Sequence, residues 1–232
     1  MTPVAADGAR FQFSSDQSLL ISFGGEISRA THERVVKLLR LLQAEPIEDV
    51  RNLHPAYCSI LVKFNPLRWR HEELRKVLAP YVARMDSMAL PEPRLVEIPV
   101  CYGGEFGPDL NEVAAMRNLS PEQVIELHAS RTYLAYFLGF VPGFAYLGEL
   151  PDALVTPRLP TPRRKVPAGS VAIAGNQTGV YPVATPGGWR LLGRTPVSIF
   201  RPERKHLSLI AIGDHVKFTP ISPEQFAAME QR

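Results

Sequence analysis

Cysteine is scarce in this 232-residue chain, with only Cys58 and Cys101, too far apart for any CxxC pair. Two lone thiols exclude a disulfide framework and suit a reducing compartment. Long apolar runs are scarce too. One uncharged stretch, TYLAYFLGFVPGFAYLG, covers 17 residues from Thr132 to Gly148 and is broken by Pro142 and three glycines. That pattern suits a buried strand and a loop rather than a membrane span. The opening segment MTPVAADGAR has neither a basic start nor an apolar core, so it is not read as a signal peptide. The expectation is a soluble, cytoplasmic protein. Several catalytic signatures are also absent. There is no GxxxxGK[ST] phosphate loop, no GxGxxG fingerprint and no GxSxG elbow. The pairs His32-Glu33 and His71-Glu72 lack a second histidine at metal-binding spacing, so no metal site is expected.

The most telling absence is acidic. No Asp or Glu occurs from Ala153 to Pro202, while Arg158, Arg163, Arg164, Lys165, Arg190, Arg194 and Arg201 give that segment +7. Seven of the 26 Lys and Arg residues lie there, so the rest of the chain holds 19 basic against 23 acidic side chains, net −4. A near-neutral body with one cationic segment favours an anionic ligand or an acidic partner surface. Nucleic acid is not expected, because the cations follow neither a helical spacing nor a long run.

What the chain does have is two differently patterned halves. Residues 10 to about 88 read as strand, strand, helix, strand, strand, helix, a small α+β domain over residues 1–90. Ser28 and Thr31 are cap residues for a helix carrying Val35, Val36, Leu38, Leu39 and Leu42. SILVKF alternates as a half-buried strand, and HEELRKVLAPYVARM places Leu74, Val77, Leu78, Tyr81, Val82 and Met85 on one helical face. Pro80 within it predicts a kink or a break. Leu90-Pro91-Glu92-Pro93 reads as a stiff linker. Residues 91–232 open with the strand LVEIPVCY and two short helices. Asp109 with Glu112, and Ser120 with Gln123, are read as the helix starts. The strands YLAYFLGF, SVAIAG, GVYPV, WRLLG, VSIF, LSLIAI and DHVKFTP follow, and their number suggests a closed, mainly-β barrel. Residues 142 to 196 hold nine prolines and eight glycines, yet Phe144, Tyr146, Leu147, Tyr181 and Trp189 are interleaved among them, so packed loops are expected rather than disorder.

The ordered motifs YGGEFGPDL, VIELH, GFVPGFAYLGELP, TPRRKVPAGSVAIAG and AGNQTGVYPVATPGGWRLLGRTP closely resemble the B-type subunit of bacterial ATP-dependent 5-oxoprolinase. That family includes KipI, a histidine-kinase inhibitor, and corresponds to the first half of a carboxyltransferase domain. The resemblance runs from about Phe11 to Pro220; Ala145 departs where proline is commoner and Asn176 where glycine is commoner. It implies a cyclophilin-like barrel and cleavage of 5-oxo-L-proline to L-glutamate with ATP as co-substrate. It also implies partnership with two further 5-oxoprolinase components, a KipA-like C-type protein and an A-type protein. Two alternatives stand beside it: inhibition of a sensor histidine kinase, and half of a biotin-dependent carboxyltransferase acting on urea or a related amide.

Such chemistry needs groups that hold oxyanions without supplying a nucleophile, which guanidinium forks and amides do. Arg163 and Arg164, read as lying on a proline-stiffened loop, are candidate anion binders or partner contacts, as is Arg194. Gln177 and Thr178 follow Gly175, where they grip a ligand or stabilise a turn. Tyr146, Tyr181 and Trp189 are ligand walls or barrel core. His128 shares a helix face with Val124 and Ile125, pointing inward; it is either a core histidine or, with its near-neutral titration, the general acid or base.

Overall fold

The computed structural model describes residues 8–203 and 207–230; most of the opening segment, where the signal-peptide reading falls, lies outside them. Two compact units divide the chain, Met1–Glu92 and Pro93–Arg232.

The first unit runs β1 (Arg10–Ser15), β2 (Ser18–Ser22), α1 (Arg29–Ala44), β3 (Val50–Pro55), β4 (Ser59–Phe64) and α2 (His71–Arg84). Its strands form one antiparallel sheet in the order β1-β2-β4-β3. Alternation along β2 and β4 buries Leu19, Ile21, Ile60, Val62 and Phe64, and the apolar stripes of α1 and α2 add Val35, Leu38, Leu74 and Leu78 to the core. Ser28 alone caps α1, its Oγ accepting from the Thr31 amide at 3.1 Å. Pro80 does not break α2. It lies on the exposed side, so the Lys76 carbonyl that loses its helical donor faces water, where the loss is small.

The second unit begins with β5 (Leu95–Tyr102), α3 (Leu110–Arg117) and α4 (Pro121–Ser130). Then come β6 (Thr132–Leu138), β7 (Ala145–Gly148), β8 (Arg163–Val166), β9 (Ser170–Ala174), β10 (Gln177–Val180), β11 (Thr185–Gly187), β12 (Arg190–Arg194), β13 (His215–Pro220) and α5 (Pro223–Glu230). Seven strands close a barrel in the order β10-β7-β6-β13-β5-β12-β9, the closed barrel expected, with β5 and β7 in the wall rather than VSIF and LSLIAI. Only β13 and β5 run parallel. The barrel fits the cyclophilin-like expectation. Ser120 starts α4 as read, with Oγ accepting from the Gln123 amide at 3.2 Å and the Gln123 side chain accepting from the Ser120 amide at 2.8 Å.

Three local expectations fail. TPRRKVP is not a loop: residues 163–166 form β8, which pairs with β11 as a separate two-stranded ribbon. VSIF and LSLIAI are not strands and meet only in the bridge Phe200–Ser208. Their Ile199 and Ile210 instead pack into the barrel core. Asp109 does not cap α3 with its side chain, for a reason that belongs to the site.

Candidate functional site

Strand alternation divides the barrel wall into two faces. Ala145 and Leu147 of β7, Val171 and Ile173 of β9, Val180 of β10 and Leu192 of β12 face the interior core. Tyr146, Ala172, Ala174 and Leu191, their sequence neighbours, face outward into a second cluster with Phe144, Val166, Tyr181 and Trp189.

His128 and Thr178 meet on the inside. Both are 0% exposed, with His128 Nε2 2.8 Å from Thr178 Oγ1 and Nδ1 2.7 Å from the Tyr102 hydroxyl. Thr178 has one hydroxyl proton, and it reaches the Ala172 carbonyl at 3.1 Å. Thr178 therefore accepts from Nε2–H, which leaves Nδ1 to accept from Tyr102. One neutral tautomer satisfies the whole chain. Burial pushes the His128 pKa down to about 3 and the Tyr102 phenol well above its ordinary value. The imidazole also stacks on Phe218, centroids 4.6 Å apart. The inward reading of His128 holds; the candidate general acid or base has no solvent exposure and both ring nitrogens engaged.

The outer cluster is an aromatic group of a different kind. Phe144 meets Tyr146, Tyr181 and Trp189 edge-on at 5.0, 5.3 and 5.4 Å, and Tyr146 stacks on Phe137 at 4.5 Å. Tyr181 and Trp189 are 1% and 5% exposed, so they form the floor, whereas Tyr146 is half-buried. Gly179 admits this packing: a Cβ there would stand 3.0 Å from both the Phe144 ring and the Ala145 carbonyl. Gln177, two residues earlier on β10, shares Gly179's outward side and is half-buried. The exposed Arg158 lies over the Trp189 ring at 6.0 Å. Burial raises the Tyr146 and Tyr181 phenols, and the Arg158 charge partly offsets that rise in each.

The remaining cations part ways. Arg163 Nη2 donates to Asp109 Oδ1 at 2.6 Å, and Asp109 Oδ2 accepts from the Leu191 amide at 2.7 Å. Asp109 is 4% exposed. Its carboxylate is thus drawn off the helix start by a buried amide and a guanidinium, which corrects the capping expectation; Glu112 meanwhile pairs with Arg190 at 2.8 Å. Arg163 opens β8 of the ribbon and has one amino group buried and without a hydrogen-bond partner. Arg164 and Lys165 are exposed on β8. Arg194 lies elsewhere, donating to the Ala168 carbonyl at 2.9 Å and packing over Phe226 of α5. The predicted residues therefore fall into an inner pair (His128, Thr178), an outer group (Tyr146, Gln177, Tyr181, Trp189, with Arg163 and Arg164 on the ribbon) and the separate Arg194.

Among the described residues no group of three or more His, Cys, Asp or Glu is arranged to hold a metal ion, and no helix is long and apolar enough to cross a membrane. A cavity of about 280 Å³ lies in the first unit, walled largely by Leu42, Ile47, Leu53, Val62 and Leu78 with Arg51 at its edge. It brings together no acid–base pair.

The motif order along the barrel has a counterpart in known proteins. A family model for the carboxyltransferase domain, subdomain C and D, matches residues 9–210. The B-type 5-oxoprolinase subunit of Bacillus subtilis (strain 168) is 40% identical over 226 residues, covering 93% of this chain and 94% of that protein. The chain belongs to the family of B-type 5-oxoprolinase subunits. The family member from Escherichia coli O157:H7 is 59% identical over 136 residues, 58% of this chain and 62% of that one. In three dimensions the chain is similar to TTHA0988, known from a crystal structure, with a TM-score of 0.78 and 37% identity over 89% of this chain. It spans 40% of that longer chain.

Sequence reasoning misses three residues around the site. Arg158 counts among the cations, but only the fold lays it on Trp189. Asp109 reads as a local cap because its partners, Arg163 and Leu191, are 54 and 82 positions away. Tyr102 closes the interior hydrogen-bond chain from the end of β5; it opens the motif YGGEFGPDL, but nothing local ties it to His128, 26 positions away.

Proposed function

We propose that this chain is the B-type component of an ATP-dependent 5-oxoprolinase, acting with an A-type and a C-type component to open 5-oxo-L-proline to L-glutamate. The observation that carries the reading is the outer face: Tyr146, Gln177 and Arg158 beside Trp189, with Arg164 and Lys165 exposed on the neighbouring ribbon. A five-membered lactam is a poor electrophile, and transfer of phosphate from ATP to its carbonyl oxygen turns that oxygen into a leaving group. The groups on this face suit the substrate side of that problem. An amide such as Gln177 matches the lactam N–H and C=O, and guanidinium groups such as Arg158 and Arg164 hold the substrate carboxylate and the oxyanion formed on attack. Arg163 contributes less net charge, because Asp109 neutralises it.

In this reading His128 supports the site and takes no part in proton transfer. It stays neutral near pH 7 and ties α4 to β10 through Thr178, so Gln177 leaves the wall in a fixed direction. The nucleophile and the proton-transferring groups then come from the other components or from water. Reconstitution with the A-type and C-type proteins tests the reading. Glutamate release from 5-oxoproline is expected only in the full mixture and only with ATP. No release, next to an active control complex, sinks it. Within the active complex, Arg164→Ala is expected to lower turnover while assembly is retained.

A further inference from the structure

The loop between β6 and β7 holds one residue that folding alone does not account for. Phe140 has φ 68°, in the left-handed region that a side chain bearing a Cβ disfavours, and the residue is 59% exposed. The turn around it is tightly wound. Gly139 N–H donates to the Phe144 carbonyl at 3.0 Å, Val141 N–H to the Gly139 carbonyl at 2.8 Å, and Phe144 N–H to the Val141 carbonyl at 3.1 Å. Gly143, at φ 83°, is wedged against Phe200, whose Cβ would lie 2.7 Å from any Cβ at position 143. A glycine at position 140 would fit the same backbone without strain and without an exposed phenyl group. The ring's own contacts are T-shaped ones to Phe144 at 5.6 Å and Tyr181 at 6.4 Å, and they leave most of the side chain open.

Those two contacts fix where the open ring lies. Phe144 in turn touches Tyr146 and Trp189, and Arg158 lies over the Trp189 ring. Phe140 is therefore an apolar flank to the outer face, linked through Phe144 to the Trp189 ring that carries Arg158, a cation that suits a carboxylate. We propose that Phe140 is a substrate-positioning residue: its exposed ring packs on the hydrocarbon side of the lactam while the neighbouring guanidinium groups take the carboxylate. The inference rests on the oxoprolinase reading, and it adds a specificity device that the polar groups lack. A flat apolar flank selects the closed ring over its open product, which carries two carboxylates and an ammonium group.

The test uses the reconstituted complex with Phe140→Gly and Phe140→Tyr. For Phe140→Gly the expected result is a KM for 5-oxoproline raised about ten-fold, with kcat and the KM for ATP within about two-fold. Complex assembly and the melting temperature are expected to be unchanged or improved, because the backbone strain is relieved. Phe140→Tyr should restore the 5-oxoproline KM. An unmoved 5-oxoproline KM in an otherwise active complex overturns this inference alone. A rise in the KM for ATP instead makes Phe140 a nucleotide contact, loss of assembly makes it an interface residue, and a lowered melting temperature makes it structural; each of these also overturns it. A wild-type complex that releases no glutamate overturns the functional reading, and this inference with it.

Discussion

Gln177 and Thr178 are adjacent in the chain and opposite in the barrel. Thr178 has 0% exposure and closes a hydrogen-bond chain with His128, Tyr102 and the Ala172 carbonyl. Gln177 points outward on a face with Tyr146 and Trp189. The same contrast recurs at Tyr146 and Leu147, and at Leu191 and Leu192. The inner set is satisfied entirely within the chain, and its chemistry is spent on stability. The outer set leaves an amide and several cations within reach of something else. Polar side chains thus mean different things on the two faces, and only the direction of the strand pleat separates them.

The inner face should give the larger losses. His128→Ala removes a fully buried, stacked imidazole and orphans two hydroxyl partners, so a loss of roughly 4 kcal/mol is expected in urea unfolding. Gln177→Ala should lie within about 0.5 kcal/mol of wild type. Comparable losses at the two positions would erase the distinction drawn between the faces. Asp109→Ala, which strips a buried amide of its acceptor and leaves Arg163 unpaired, should cost about 3 kcal/mol. A cost under about 1 kcal/mol would mean that the pair is an incidental contact.

A pH titration probes the same division. Burial holds His128 neutral in the folded state with a pKa of about 3, below its ordinary 6.5. Below pH 6.5 the unfolded chain takes up a proton that the folded chain refuses, so stability falls as pH drops from 6.5 towards 3 and is flat above that window. The slope from this one group approaches about 1.4 kcal/mol per pH unit. His32 in the first unit, pushed down to about 4 mainly by burial, acts with the same sign. Urea midpoints between about pH 6 and 4 should therefore fall less steeply in His128→Gln than in wild type, by up to one proton. Equal slopes would show that His128 titrates normally. The smallest stability effects belong outside: Arg158→Ala and Arg164→Ala should change unfolding free energy by less than about 0.5 kcal/mol. A destabilisation well beyond that would recast these cations as parts of the fold.

Much of the architecture is legible in the chain, and the reasons are local. Ser120 and Gln123 meet across one helical turn, Ser28 bonds its own helix start, and SILVKF alternates with the period of a half-buried strand. Each signal spans a few residues and decides its own backbone. The site is legible only in part. The cationic segment is visible, but not that Asp109 abandons its helix for Arg163 and the Leu191 amide. RRKV between prolines looks like a loop because four residues facing a three-residue strand leave no alternation to read. VSIF and LSLIAI look like strands because apolar content alone does not distinguish a ladder from a barrel plug.

Local pattern was enough for most of the elements, and the resemblance of the ordered motifs for the family to which the chain belongs. Which polar groups are used up and which are offered depended on the closed barrel. Folding buried His128 against Thr178, neutralised Arg163 with Asp109 and left Arg158 over Trp189 in the open. The underlying cause is range. Caps, turns and strand alternation are settled by neighbours within a few residues, whereas a charge or a hydrogen-bonding group is satisfied by whatever the barrel brings beside it, from 50 or 54 positions away in two of these cases.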